Sequence, residues 1–362
     1  MKRLSFQFIA AVMILLALRV GAQTSNLRQD EQVVFYPSCA WQSGDGKWWD
    51  VEIHGCVFEH ESRGLALALL RKGLALGDVE MTAAQRAIFA ERARLFMVDN
   101  ERGKRLAIAL GNQTHILDAS GPNGHFRTTL RFSAEEAIKL RGNTGDTIEF
   151  QAILPAGDAR KFMGVVRFCR PDGWLVISDI DDTIKVTEVT DSSATMRNTF
   201  LEPFHPVPDM AGLYREWEKA GAGFFYVSAS PWQLYLPLAE FVLSNGFPRG
   251  TFQMKVFRLK DGSMASIWED PEKYKPGAIE PILKRFPRRR FVLVGDSGER
   301  DPEVYAGLAR KYPQQVVRIL IRNVTRESAA APRYQKTFRQ SPRDLWEVFE
   351  DPAAVAQIRG LN

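Results

Sequence analysis

The segment WLVISDIDDT, residues 174–183, places three aspartates directly after an apolar run. In an extended chain the side chains of Asp179 and Asp181 point to the same side, whereas Asp182 points to the other. Paired carboxylates at a strand end can bind a divalent cation and can attack or protonate a phosphate ester. A solvated strand end would contain the same residues, so the interpretation depends on the rest of the chain.

Other polar residues also adjoin apolar stretches further along the chain. Ser228 follows GFFYV, Lys275 precedes an apolar stretch with helical spacing, and Asp296 follows RFVLV with Asp301 five residues later. The carboxyl ends of parallel strands meet at one edge of a sheet, where ligands bind. Each position alone is common, but their order along the chain favours one shared site.

The residue types at these positions predict phosphoryl transfer. We expect Asp179, Asp181, Asp296 and Asp301 to bind Mg²⁺, which prefers carboxylate oxygens. Asp301 could instead only place negative charge at a helix start. We expect Asp179 to attack phosphorus and form an aspartyl-phosphate. Asp181 is expected to protonate the leaving oxygen and later to activate water.

Hydroxyl and ammonium groups are predicted to hold the phosphoryl oxygens. Ser228 and Lys275 are the catalytic candidates, because they can stabilise negative charge that develops on those oxygens. Thr183 and Ser230 are candidates for substrate binding, and Ser230 could replace Ser228 as the phosphate contact. Lys273 competes with Lys275, which is preferred because apolar residues at helical spacing follow it.

Two kinds of pattern divide the chain into domains. Residues 31–170 show the alternation of half-buried strands, which predicts a β-sandwich-like N-terminal domain. A helical insert is expected at Thr82–Val98, with a capping box from Thr82 and Gln85. In residues 171–330, short apolar runs alternate with helical stretches, which predicts an α/β fold with a doubly wound parallel sheet. Residues 331–362 are expected to form a C-terminal helical tail.

The N-terminal sequence predicts export. Residues 1–22 contain a basic start, an apolar run of about eleven residues and small residues near Ala22, as in a cleaved signal peptide. An uncleaved membrane anchor is the alternative. Removing Lys2, Arg3 and Arg19 lowers the net charge from +5 to +2. This charge predicts no nucleic-acid partner, and the expected location is the periplasm or the medium.

The chain contains three cysteines, Cys39, Cys56 and Cys169. In an oxidising compartment Cys39 and Cys56 could form a disulfide, which would leave Cys169 unpaired. Three small buried thiols are the alternative.

The order Asp-x-Asp-x-Thr, Ser, Lys and Gly-Asp-x-x-x-x-Asp resembles the motif set of the haloacid dehalogenase (HAD) superfamily of phosphohydrolases. The stretches SDIDDTIK, VPDMAGLY, VSASPWQLY, GFPRGTF and FVLVGDSGERDPEVY resemble the catalytic domain of the actin-patch-associated phosphatidate phosphatases and their bacterial relatives. The resemblance covers about residues 172–324. One departure is Asp209, where the family usually has glycine.

This resemblance implies a HAD-like fold and Mg²⁺-dependent release of phosphate from phosphatidate. It implies that Asp179 is the nucleophile, Asp181 the acid and base, and Asp296 a metal ligand, with Ser228 and Lys275 binding phosphate. Asp301 would lie behind the ligands.

The substrate class depends on how open the site is. The segments between the motifs are short, which predicts a small cap or none and an open site that would admit a phospholipid headgroup through peripheral membrane contact. Two alternatives remain open: the same chemistry on a non-lipid phosphomonoester, and a non-catalytic cation-binding adaptor module.

Overall fold

The computed structural model describes residues 24–60, 64–74, 76–142, 145–257 and 271–357. The predicted signal peptide, residues 1–22, lies outside the described residues. Within those ranges, no helix combines the length and the apolar character needed to cross a membrane.

The N-terminal region contains nine strands and three helices in the described residues. In chain order they are β1 (Glu31–Tyr36), β2 (Ser38–Gln42), β3 (Trp48–His60), α1 (Gly64–Gly73), α2 (Ala83–Arg94), β4 (Val98–Asn100), β5 (Ala107–Leu110), β6 (Gln113–Ile116), β7 (His125–Ser133), α3 (Ala134–Arg141), β8 (Thr147–Ile153) and β9 (Met163–Phe168).

These nine strands form one hydrogen-bonded network. Its main path is β1-β3-β2-β9-β8-β5-β6, and β4 and β7 also pair with β3. The long strand β3 pairs along both edges, with β1 and β2 on one and with β7 and β4 on the other. The sandwich arrangement expected from the sequence stays a prediction. Helix α2 begins after Thr82, whose hydroxyl accepts the Gln85 N–H at 3.2 Å, and the Gln85 side chain accepts the Thr82 N–H at 2.9 Å.

The second region alternates strands and helices. Its elements are β10 (Trp174–Ser178), α4 (Ser192–Phe200), α5 (Met210–Lys219), β11 (Gly223–Pro231), α6 (Tyr235–Ser244), β12 (Thr251–Lys255), α7 (Pro271–Arg285), β13 (Arg290–Asp296), α8 (Asp301–Lys311), β14 (Val316–Arg322), α9 (Pro332–Thr337) and β15 (Trp346–Phe349).

The sheet of this region is parallel throughout, with the order β12-β11-β10-β13-β14-β15. The predicted parallel α/β sheet is therefore confirmed. From β10 the chain first adds strands on one side and then, from β13, on the other. Such a reversal opens a crevice at the carboxyl ends of the two central strands, so β10 and β13 present their following loops to the same place.

The C-terminal stretch contributes more than the expected helical tail. After α9, strand β15 pairs in parallel with β14 and forms the edge of the sheet. The domain boundaries drawn from the sequence stay predictions.

The two regions pack directly against each other. Arg285 Nη2 on α7 lies 2.9 Å from Glu52 Oε2 on β3, and the ring centroids of Tyr36 and Trp232 are 4.1 Å apart. Arg92 donates to the Thr199 carbonyl at 2.7 Å. The N-terminal sheet therefore forms a wall beside the elements that follow β11 and beside α7.

All three cysteines are buried and free. Ala40, next to Cys39, lies opposite Val51, five residues along β3 from Cys56. Five residues of strand span roughly 16 Å, whereas a disulfide needs Cα atoms within about 7 Å. The fold thus separates Cys39 from Cys56, and the structure contains three buried thiols.

Candidate active site

The loop after β10 is shaped by Asp182. Its backbone is left-handed, with φ 51°, and its carboxylate accepts the N–H groups of Thr187, Glu188 and Val189 at 2.8, 2.9 and 2.6 Å. Three backbone donors to one carboxylate fold the loop tightly. This turn fixes the directions in which Asp179 and Asp181 leave the strand.

Asp179 and Lys275 form the centre of the site. Asp179 is 1% exposed and Lys275 is fully buried, and Lys275 Nζ lies 2.9 Å from Asp179 Oδ1. The Thr183 hydroxyl donates to Asp179 Oδ2 at 3.2 Å. Lys275 also contacts Glu299 Oε2 at 2.8 Å and Asp301 Oδ1. One ammonium group thus contacts three carboxylates.

The loop after β13 adds a further carboxylate. Asp296 Oδ1 accepts the N–H groups of Gly298 and Glu299 at 2.6 and 3.0 Å, which curls the loop and brings the Glu299 side chain back toward the sheet. The Asp296 N–H donates to Asp301 Oδ2 at 3.2 Å. A side chain at Gly295 would overlap the Asp301 carboxylate, so only glycine fits there.

Three of these carboxylates form a candidate cation site. One oxygen each from Asp179, Asp296 and Glu299 lie within 4.8 Å of one another. Among the residues that the structure describes, Asp296 Oδ2 is buried without a hydrogen-bond partner. A buried carboxylate oxygen is costly to leave unpaired. The donor set therefore fits a hard cation such as Mg²⁺, which binds a few carboxylates together with water and phosphate oxygens.

The electrostatics of the cluster point the same way. Burial raises the pKa of Asp179 well above its usual value; the nearby Asp301, Glu299 and Asp296 raise it further, while Lys275 opposes the shift. Burial, then Asp301 and Glu299, likewise raises the pKa of Asp296. An added cation would relieve this excess of negative charge.

Asp181 lies in a separate and well-satisfied environment. Its Oδ1 is 2.9 Å from Lys185 Nζ and accepts the Thr187 hydroxyl at 2.8 Å. Its Oδ2 accepts the hydroxyls of Ser228 and Ser230, both at 3.1 Å. Burial alone would raise the pKa of Asp181, but Lys185 and the hydroxyl donors outweigh it and hold the pKa below its usual value. These contacts are the ones that the carboxylate form of Asp181 makes.

The structure brings the predicted site residues into two adjoining groups. The first contains Asp179, Thr183, Lys275, Asp296 and Asp301, and the second joins Asp181 to Ser228 and Ser230.

Two of the predicted metal ligands do not enter the group of three oxygens. The Asp181 oxygens are occupied by Lys185 and by hydroxyls, and Asp301 binds Lys275 and the Asp296 N–H. Between the two candidate lysines, Lys275 contacts Asp179, and the side chain of Lys273 lies outside the described residues.

Glu299, Lys185 and Thr187 belong to the site but were missed in the sequence. Glu299 stands three positions after Asp296 in the quoted motif, a spacing that a curled loop brings together. Lys185 stands four positions after Asp181 and contacts it together with Thr187. Lys185 is the stronger sequence signal, because it stands between Ile184 and Val186 and a lysine in an apolar stretch needs an acidic partner. In the structure it is 1% exposed.

The fold and site together define an α/β protein with a buried, carboxylate-rich centre at the carboxyl edge of a parallel sheet. Residues 174–323 match the family model described as the catalytic domain of phosphatidate phosphatase APP1. The resemblance that the motifs indicated is thereby confirmed for these residues, and the chain is similar to a hydrolase of the phosphatidate phosphatase type.

Two curated relatives give the extent of this similarity. The chain is 34% identical over 194 residues to phosphatidate phosphatase APP1 of Saccharomyces cerevisiae, covering 52% of this chain and 32% of that protein. It is 28% identical over 215 residues to an uncharacterized protein of Schizosaccharomyces pombe, covering 57% and 35%. The chain thus spans about a third of the length of these relatives.

Among solved structures, a D,D-heptose 1.7-bisphosphate phosphatase from B. bronchiseptica, complexed with magnesium and phosphate, aligns with a TM-score of 0.29. It is 16% identical and covers 50% of this chain and 95% of that chain. At this TM-score the alignment has no bearing on the site.

The local backbone explains why aspartate is tolerated at position 209, where the family usually has glycine. Asp209 precedes α5 with φ 62°, in the left-handed region. Glycine adopts this conformation most easily, and aspartate is among the side chains that tolerate it best.

Proposed function

We propose that this protein is a Mg²⁺-dependent phosphomonoester hydrolase that acts through an aspartyl-phosphate, with phosphatidate as its substrate. The observation that carries the proposal is the position of Asp179, buried between Lys275 and the oxygens of Asp296 and Glu299, with a second carboxylate, Asp181, two residues away. Similarity to the phosphatidate phosphatase APP1 catalytic domain supports the choice of substrate.

Asp179, Asp296 and Glu299 are the residues that would hold Mg²⁺. When bound there, the ion would neutralise the negative charge of the phosphoryl group and of the nucleophile. The unpaired Asp296 Oδ2 and the raised pKa of Asp179 support this assignment.

In the first step, an oxygen of Asp179 attacks phosphorus and forms an acyl-phosphate bond while the bond to the leaving oxygen breaks. The leaving alkoxide takes a proton from Asp181. For this step Asp181 must be protonated, and the negative charge of an incoming phosphate beside it favours the neutral acid. The product alcohol then departs, which in the case of phosphatidate is diacylglycerol.

In the second step, water attacks phosphorus, and the bond between Asp179 and phosphorus breaks. Asp181, now a carboxylate, takes the proton of the attacking water. Its hydrogen bonds from Ser228, Ser230 and Thr187 hold the carboxylate in a fixed direction. Inorganic phosphate is released, Asp179 is again a free carboxylate, and Asp181 again carries the proton that it gave up in the first step.

Lys275 and the hydroxyl groups orient the phosphoryl group. The ammonium group of Lys275 is fixed between Asp179, Glu299 and Asp301, so it provides positive charge without having to reorganise during the reaction. Thr183 donates to the nucleophile and holds its second oxygen in place.

The test measures phosphate release from phosphatidate in detergent micelles and from a soluble chromogenic phosphate ester, each with Mg²⁺ or with EDTA. We expect Mg²⁺-dependent release from both, abolished in Asp179→Asn and unchanged in Asp172→Asn, a matched change at an exposed aspartate next to β10. Mass spectrometry of the acid-quenched enzyme should show one phosphoryl group on the peptide that contains Asp179.

Activity on the soluble ester alone would keep the chemistry and reject phosphatidate as the substrate. A folded wild-type protein that releases phosphate from neither substrate would reject the hydrolase proposal.

A further inference from the structure

A groove runs between the N-terminal sheet and the catalytic region beside the proposed active site. It is open to solvent and has a volume of about 550 Å³, and the residues that line it include Arg127, Trp232, Met254, Val256 and Tyr274. We call it the interdomain groove.

Residues of the interdomain groove are close along the chain or in strand register to the proposed phosphate-binding residues. Tyr274 directly precedes Lys275, and Trp232 comes two residues after Ser230. Met254 is the register partner of Ser228 across β11 and β12. Helix α7 and the segment that follows Ser228 thus supply residues both to the groove and to the proposed phosphate site, which makes the groove the candidate surface for the rest of the substrate.

The opposite wall carries a cation on a rigid support. Arg127 on β7 contacts Glu52 Oε1 at 2.7 Å, and its side chain is 41% exposed. The other oxygen of Glu52 contacts Arg285 on α7 at 2.9 Å. Because α7 also carries Lys275, Glu52 fixes the distance between Arg127 and the helix of the phosphate-binding lysine. The guanidinium group offers five donors, so it keeps some for a ligand in the groove.

Apolar side chains form part of the remaining lining, which also contains His54, His125, Asn123 and Gln253. Trp232 is buried and lies against Tyr36 and His54, with ring centroids 4.1 and 4.9 Å apart. Val256 is 45% exposed and lines the same groove as Met254. The exposed Val256 beside a fixed hydrogen-bond donor suits a ligand with both hydrocarbon and acceptor groups. A sugar or nucleotide leaving group has little hydrocarbon to place against Val256.

We infer that the interdomain groove binds the acylated glycerol part of a phospholipid substrate, with Arg127 donating to an ester carbonyl and Val256 contacting an acyl chain. The N-terminal domain then takes part in substrate selection. This inference rests on the proposed function and adds to it the surface that selects the leaving group.

The test compares kcat/KM for dioleoyl phosphatidate in detergent micelles with kcat/KM for p-nitrophenyl phosphate. Val256→Asp should lower the first about tenfold or more, through desolvation of the new charge, and change the second less than twofold. The control is Met163→Asp on β9, an apolar residue that is 50% exposed and outside the groove, and it should leave both values unchanged.

A second pair of variants tests the cation. Arg127→Gln should lower kcat/KM for phosphatidate about threefold to tenfold without affecting the soluble ester. Arg131→Gln on the same strand, where Arg131 pairs with Asp50 at 2.7 Å, is the matched control. Thermal unfolding of each variant separates loss of binding from loss of fold.

Two results would overturn the inference: equal loss on both substrates in Val256→Asp, or no loss on either. If wild-type protein hydrolyses neither substrate, the proposed function fails, and calorimetry with dioctanoylglycerol still tests the groove. Saturable binding that Val256→Asp weakens would support the groove assignment. Binding that is absent, or equal in the two proteins, would reject it.

Discussion

The two regions each contain a buried carboxylate among charged side chains, and the two carboxylates differ in the number of cations that contact them. In the N-terminal region, the fully buried Glu31 contacts Arg28 at 2.7 Å and also Lys104. In the second region, which contains the parallel sheet, Lys275 alone contacts Asp179, Glu299 and Asp301, and Asp296 lies beside them.

The pKa values of the two buried carboxylates, Glu31 and Asp179, shift in opposite directions. Burial would raise the pKa of Glu31, but Lys104 and Arg28 outweigh it and lower the pKa. At Asp179 burial raises the pKa, and neighbouring carboxylates reinforce the shift against a single lysine. A buried carboxylate that two cations contact is compensated within the fold, whereas several buried carboxylates around one lysine need a cation from outside. This imbalance separates a structural ion pair from a functional site.

The largest expected effect is the loss of catalysis in Asp179→Asn. Removing a nucleophile should lower kcat about ten-thousandfold, measured as phosphate release with Mg²⁺. The same change should not lower the melting temperature of the metal-free protein, because it removes one charge from an overfilled acidic cluster. Residual activity above a hundredth of wild type, or a clear loss of stability, would contradict the role given to Asp179.

Magnesium should stabilise the folded protein through the acidic cluster around Asp179 and not through the cluster around Glu31. At a concentration of 100 times Kd, binding to the folded state alone adds about 2.7 kcal/mol to the free energy of unfolding. Thermal unfolding with and without Mg²⁺ should show this gain in wild type and in the exposed control Asp172→Asn. Asp296→Asn should lose most of it; an undiminished gain in that variant would place the cation elsewhere.

Glu31→Gln should have the opposite effects to Asp179→Asn: it should lower stability and leave catalysis unchanged. It removes the buried carboxylate and leaves Lys104 and Arg28 to the more exposed Glu101, which we expect to lower the free energy of unfolding by about 3 kcal/mol. The value of kcat should change less than twofold. Denaturant unfolding measures the loss. Glu135→Gln is the control, since Glu135 pairs with Lys139 at the surface and should cost less than about 1 kcal/mol.

The sequence was sufficient to predict the parallel sheet and the residues at its carboxyl edge. Strands buried on both faces appear as continuous apolar runs, and parallel topology brings their ends together whatever the details of the loops. Asp179, Lys275 and Asp296 are found together for this reason.

The features that were missed depend on loop backbone or on distant pairing. Glu299 enters the site because Asp296 accepts two N–H groups and curls the loop, and Lys185 enters because Asp182 adopts a left-handed turn. Neither the curled loop at Asp296 nor the left-handed turn at Asp182 produces a periodic pattern in the sequence. Strand β15 has only four residues and is defined by its pairing with β14.

The smallest expected effect concerns the border between the two regions, where His54 and His125 lie with Nε2 and Nδ1 3.2 Å apart. Burial, and then Arg127, lowers the pKa of His125 to about 4. Burial also holds the pKa of His54 well below its usual value. In the unfolded chain both imidazoles bind a proton below about pH 6.5, whereas in the folded protein they stay neutral.

The pair therefore contributes stability that is complete above pH 6.5 and decreases as the pH falls toward 4. Between pH 7 and pH 5 we expect a loss of roughly 1–3 kcal/mol in the free energy of unfolding, measured with urea. His125→Asn should flatten this dependence, and the exposed His205→Asn should leave it unchanged. A dependence that is equally steep in His125→Asn would show that the acid sensitivity arises from the charged clusters rather than from the neutral border between them.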